Sequence, residues 1–128
     1  MSAIKEEDLY FLRQYNYLLE VMQEGFDYLE EKWGPMPPVE TQRVLTDIIH
    51  SFQQLNQSHK QIKDIMKSQG IEFSPYIDDF ESVINELFQW MEIETNHEKE
   101  NALVQRVIPK FSDWRQSIGS LLQPYISH

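Results

Sequence analysis

Two histidines, His50 and His59, lie nine residues apart in HSFQQLNQSHKQ (50–61), and two carboxylates each stand three residues before a histidine, in Asp47-x-x-His50 and Glu94-x-x-His97. Imidazole and carboxylate are common metal ligands, and a carboxylate-x-x-His step repeated on facing helices is how di-metal bundles assemble their centres. The spacing argues against that chemistry here. Nine steps of about 100° put His50 and His59 on opposite faces of one helix, so they cannot share an ion from it. Asp47 and His50 fall away from the apolar seam of their helix, Glu94 and His97 fall at a helix end, and no glutamate lies in the central seam to complete a site. The chain has no cysteine, which removes thiolate nucleophiles, thiolate metal sites and disulfides. It holds neither a G-x-x-x-x-G-K nor a G-x-G-x-x-G phosphate loop. The expectation is a protein without catalytic residues, metal or cofactor.

His59 differs from the other histidines because it falls on the seam itself. Counting from the glycine–proline turns places it level with Tyr15, Ile84 and the Phe111–Trp114 turn. A neutral imidazole there can hydrogen-bond the Tyr15 hydroxyl, satisfying both polar groups in an otherwise apolar layer. His59 and Tyr15 are therefore expected to form a buried polar pair that fixes helix register.

The elements that must position these residues are helices. WGPMPP (33–38) and QGIEFSP (69–75) are clear breaks, with Gly34 and Gly70 suited to helix C′ positions, Ile71 completing a Schellman stop, and Ser74 expected to cap a helix opened by Pro75. A softer break follows at ETNHEKEN (94–101), where Thr95-x-x-Glu98 forms a capping box. Between the breaks, apolar residues recur at alternating steps of three and four. The seams read Leu12, Tyr15, Leu19, Met22, Phe26, Leu29, Trp33; then Leu45, Ile48, Phe52, Leu55, His59, Ile62, Met66. They continue as Ile77, Phe80, Ile84, Leu87, Met91, and finally Val104, Val107, Phe111, Trp114, Ile118, Leu121, Tyr125. No stretch alternates with the strand period of two. The expected fold is all-α, one antiparallel up-down-up-down four-helix bundle over 1–128, with long helices near 4–33, 39–68, 75–94 and 98–123. Pro109 lies inside the fourth, where its missing N–H frees the carbonyl of Gln105 and should kink or restart the helix.

Charge selects the topology. Residues 1–33 carry eight acids and three bases, and residues 71–101 carry nine and one, whereas 34–70 and 102–128 are slightly basic. Up-down-up-down order sets the two acidic helices on a diagonal and spares them a long like-charged contact. A formal net charge of −10 repels phosphate backbones, so nucleic acid is not an expected partner. The first residues, MSAIKEEDLYF, have no apolar targeting core and no run approaches membrane-spanning length, so no membrane is expected and the location is read as cytoplasmic.

One surface pattern remains. Tyr10, Tyr17 and Tyr28 fall roughly 150° or more from the first seam, with Val21 beside them. Tyrosine is enriched at protein interfaces, so these four residues form a candidate partner surface, with Trp90 on the flank of the third helix a weaker one. The function read from this is a protein–protein interaction module: an adaptor, small regulator or chaperone-like protein whose partner offers a basic or mixed apolar surface, with self-association an open variant. A helical-bundle enzyme that binds a small molecule or metal is the alternative class.

Overall fold

Glycine and the residues around it end the first two helices. The computed structural model describes residues 3–127, in which α1 spans Glu6–Lys32, α2 Val39–Ser68 and α3 Ser74–Met91. The last helix, α4, covers 96–126 in three joined pieces: Asn96–Ala102, a π-helical turn at Leu103–Val107, and Ile108–Ile126. After α1, Gly34 takes the left-handed conformation at φ +56°, following a bond from the Trp33 N–H to the Leu29 carbonyl. After α2, Gly70 does the same at φ +77°, while the Ile71 N–H reaches the Met66 carbonyl and the Gly70 N–H reaches that of Lys67, both near 3 Å. That pair of bonds is the Schellman stop expected from Gly70-Ile71.

The start of α3 departs from expectation. Ser74 is not the side-chain cap; the helix begins with it, and its N–H donates instead to the Glu72 carboxylate at 3.0 Å. Hydrogen bonds from the Ser74 side chain and backbone hold the Glu72 carboxyl below its usual range, helped by Lys63 and Lys67. At α4 the Thr95 hydroxyl accepts from the Glu98 N–H at 3.4 Å, and the helix starts at Asn96, two residues earlier than the sequence placed it. Both ends of α1 and the C-terminus of α3 are shorter than expected, and α4 runs on to Ile126.

Pro109 explains the π-turn. A proline cannot donate to the carbonyl four residues back, so a regular helix would leave that acceptor bare. The chain instead inserts one residue into the turn before it: the Ile108 N–H reaches five residues back to the Leu103 carbonyl, and Pro109 then stands in the first turn of the following segment, where no donor is required.

The four helices form the all-α bundle that the seams predict. α1 packs along α2 and α4, and α3 packs mainly on α4 and only sparsely on α2, so the acidic helices lie on a diagonal. At mid-height each helix contributes one phenylalanine. Phe26 of α1 lies 4.8 Å from Phe111 of α4, and Phe52 of α2 stands 6.2, 5.9 and 5.9 Å from Phe26, Phe80 of α3 and Phe111. These are tilted and edge-to-face contacts, the arrangements that aromatic quadrupoles favour. All four rings are buried, and burial of each stabilises the fold by roughly 1.5–3 kcal/mol.

The seams of α1 and α2 are buried as read, except that Leu45 is only half covered. Two other seams move. In α3 the buried residues are Phe80, Val83, Leu87 and Trp90, while Ile77, Ile84 and Met91 lie at or outside the edge. The inward face is thus rotated by roughly 60° toward α4. Trp90, expected on the flank, is fully buried, donating its indole N–H to the Lys99 carbonyl at 2.8 Å. In α4 the π-turn brings Leu103 inward in place of Val104, and Leu122 replaces Leu121 as the buried residue near the end, with Tyr125 half-buried.

Replacing Phe52 or Phe111 with alanine is expected to destabilise the protein by about 3–5 kcal/mol each, since each leaves a cavity in the aromatic layer. Arg43→Ala, on the exposed side of α2, should change stability by no more than about 0.5 kcal/mol. Urea unfolding followed by circular dichroism measures all three, and equal small losses would mean that this layer is not where the bundle is held.

Candidate functional site

The seam brings His59 of α2 and Tyr15 of α1 together inside the bundle. Both are 3% exposed, and the Tyr15 Oη lies 2.8 Å from the His59 Nε2. The imidazole sits in an aromatic cage: the Phe80 ring stands perpendicular to it at 4.5 Å, with Phe73 and Trp114 rings 6.0 and 6.2 Å away. Burial penalises the charged form, lowering the His59 pKa from 6.5 to about 4, and it raises that of the Tyr15 phenol above its usual value. Near neutrality both groups are therefore uncharged.

Hydrogen-bond accounting assigns the tautomer. If the phenol O–H donates to Nε2, the proton sits on Nδ1, and that atom alone lacks a polar partner among the described residues. With the opposite direction, the phenol hydrogen and the Nδ1 lone pair would both be left over. The first arrangement strands fewer groups. A neutral, caged imidazole with one fixed bond is suited to holding register between α1 and α2.

The other titratable candidates stay apart. Asp47, His50, Glu94 and His97 are exposed, and no group of three or more His, Asp or Glu among the described residues is placed to hold a metal ion.

The candidate partner surface is partly as expected. Tyr10 and Tyr17 are 65% and 63% exposed, and Val21 is exposed beside them. Tyr28 is half-buried against the core edge and leaves the stripe. It stands roughly 60° around α1 from Gly25, the point where α2 comes so close that an added Cβ would lie 3.1 Å from the Ile48 side chain.

An apolar surface on α3 was not read from the sequence. Phe88 and Met91 are 55% and 42% exposed, and beside them a groove of about 400 Å³ runs between α2 and α3, floored by Ile49, Phe52, Phe80, Ile84 and Leu87. The signal was present. Val83, Ile84, Leu87, Phe88, Trp90 and Met91 are more apolar residues than one seam can use.

A family model described as a domain of unknown function, DUF8042, matches residues 10–117, reaching into all four helices. The chain belongs to that family. It is also similar to the uncharacterized protein YvzG of Bacillus subtilis (strain 168), at 26% identity over 121 residues that cover 94% of this chain and 95% of the relative. No solved structure matches. The DUF8042 match takes in both members of the buried pair, Tyr17 and the α2–α3 groove.

In this DUF8042 bundle, Tyr15→Phe leaves a buried imidazole without its donor and is expected to cost about 1–3 kcal/mol at pH 7. Tyr15→Phe with His59→Leu removes both polar groups and should recover most of that loss. The pH response follows from the sign of the shift. The unfolded chain takes up a proton at His59 near pH 6.5, the folded chain only near 4, so this contribution is complete above 6.5 and is lost as pH falls between the two. Urea midpoints from pH 7.5 to 4.5 should therefore fall more steeply for wild type than for the double variant. Parallel slopes, or an NMR titration of His59 near its ordinary value, would contradict the caged neutral imidazole.

Proposed function

We propose that this protein works by binding another protein, without catalysing a reaction, and that it does so in the cytoplasm. The observation that carries this reading is the outer face of α1. Tyr10 and Tyr17, seven residues and so about two turns apart, expose most of their rings with Val21 alongside, and none of the three helps close the core. Tyrosine presents a large, stiff, amphipathic contact at low entropic cost. The first turn of the same helix holds Glu6, Glu7 and Asp8, which favours a partner with a basic or mixed apolar and basic surface. Two further features support the location: no helix among the described residues is long and apolar enough to cross a membrane, and the chain carries no cysteine.

Tyr10→Ser/Tyr17→Ser is expected to keep the helical content of the wild type and a melting temperature within a few degrees, since both rings are outside the core. It should lose a partner that wild type retains from a source lysate, identified by mass spectrometry, and wild-type capture should weaken as salt rises. Light scattering on both proteins distinguishes a second copy from a different partner. A variant that folds and retains every association of the wild type would remove this surface as the basis of function.

A further inference from the structure

We propose that the groove between α2 and α3 is a second docking site, and that its occupant is an amphipathic helix with basic flanks supplied by another protein. This rests on the reading of the protein as a binding module but not on the tyrosine surface of α1. The groove exists because α3 turns its inward face toward α4, which leaves the α2–α3 seam thinly packed. Ile84 and Phe88 then stand over Phe52 and Phe80 as an apolar trough, extended by Met91 along α3. Its length, from Phe80 to Phe88 on α3 and from Ile49 to Asn56 on α2, is about two helical turns, or roughly 10–12 Å. That matches the i, i+3, i+4, i+7 anchors of a helix laid in a groove.

Charge selects the occupant. α3 holds four acids and no base, and Glu92 follows it directly. Glu86 turns away to pair with Arg106 of α4 at 3.0 Å. On the groove side, Asp78, Glu81 and Glu92 fall along one flank, all exposed. The opposite rim on α2 is neutral, with Gln53 and Asn56 lining the groove and Lys60 following only toward the α2–α3 turn. An apolar floor between an acidic rim and a neutral one is complementary to a helix with leucine-like anchors and lysine or arginine beside them. A second copy of this chain fits poorly: it would bring the same acidic α3 and another formal net charge of −10 to the contact.

The test is a phage-displayed library of helical peptides about 18 residues long, with leucine fixed on one i, i+3, i+4, i+7 stripe and each flanking position free to be Lys, Glu or Gln, selected on the whole protein. Selected sequences should carry lysine flanks. A synthetic peptide of that sequence should bind wild type about tenfold more tightly than Phe88→Ser and severalfold more tightly than Glu81→Gln/Glu92→Gln, by fluorescence anisotropy. Binding should weaken as sodium chloride rises from about 50 to about 300 mM. All the altered positions are exposed, so circular dichroism melts of both variants should match wild type; the double glutamine variant touches no apolar residue and keeps the test valid if Phe88→Ser unfolds. No enrichment, glutamate or glutamine flanks, or binding indifferent to both variants would overturn the groove as this site. Binding lost with Tyr10→Ser/Tyr17→Ser and retained with Phe88→Ser would overturn the groove while leaving the binding-module reading intact. Self-association abolished by Phe88→Ser would make the occupant a second copy and overturn the basic-helix assignment.

Discussion

One phenylalanine from each helix meets in a single layer, and the heights of all four helices follow from it. With Phe26, Phe52, Phe80 and Phe111 held within about 6 Å of a neighbour, no helix can slide by a turn without emptying the centre. His59 and Tyr15 lie to one side of this layer and add what hydrophobic packing lacks, a directional bond with one correct register. At the other end, the bundle closes on tryptophan. Trp33 and Trp90 meet edge to face at 5.5 Å, and Asn96 accepts the Trp33 indole N–H while donating to the Gly34 and Pro35 carbonyls. Both connections at that end, α1–α2 and α3–α4, are thereby joined to each other. The indole of Trp114 finds the Tyr76 carbonyl, so all three tryptophan N–H groups are satisfied.

How much of this was legible in the sequence depended on whether the deciding interaction was local. In α1 a narrow stripe of seven apolar residues left one inward face, and all seven are buried. The Tyr15–His59 bond followed from helix length and turn position, because antiparallel neighbours joined by short turns fix which levels meet. α3 was misread because it carries apolar residues around nearly half its circumference, so two adjacent seams were open to it. What chose between them is non-local: Trp90 needs an acceptor for its N–H and finds it on Lys99, across the next turn. Pro109 announced a disturbance in α4, but whether the chain kinks, stops or inserts a residue depends on what the preceding turn packs against. Tyr28 failed for a similar reason, since a helical wheel drawn on α1 alone cannot show which outward residues pack against the core edge.

The same rotation that hides Trp90 also exposes Phe88. An inward face can move around a helix only if another part of that helix moves outward, and in α3 the displaced residues are aromatic and aliphatic. Core and candidate surface are therefore coupled quantities here. The charge pattern has a comparable double use. Keeping α1 and α3 on a diagonal relieves repulsion inside the bundle, and it also gives the molecule two acidic ridges separated by less acidic helices.

The π-turn has a consequence for how α4 tolerates changes in length. A π-turn is an α-helix carrying one surplus residue, so a deletion within 103–107 could be taken up by erasing the turn, and an insertion by widening it. Absorbed there, either change would leave Phe111, Trp114 and Ile118 in place and keep the segment ahead of them in register, whereas a residue added or lost elsewhere in α4 rotates one part of the helix against the other by about 100°. That segment begins with Asn96, whose bonds reach the α1–α2 connection. The π-turn thus lets α4 absorb a one-residue change in spacing, while the same change elsewhere in the helix would break the latch at the far end of the bundle or displace the aromatic centre.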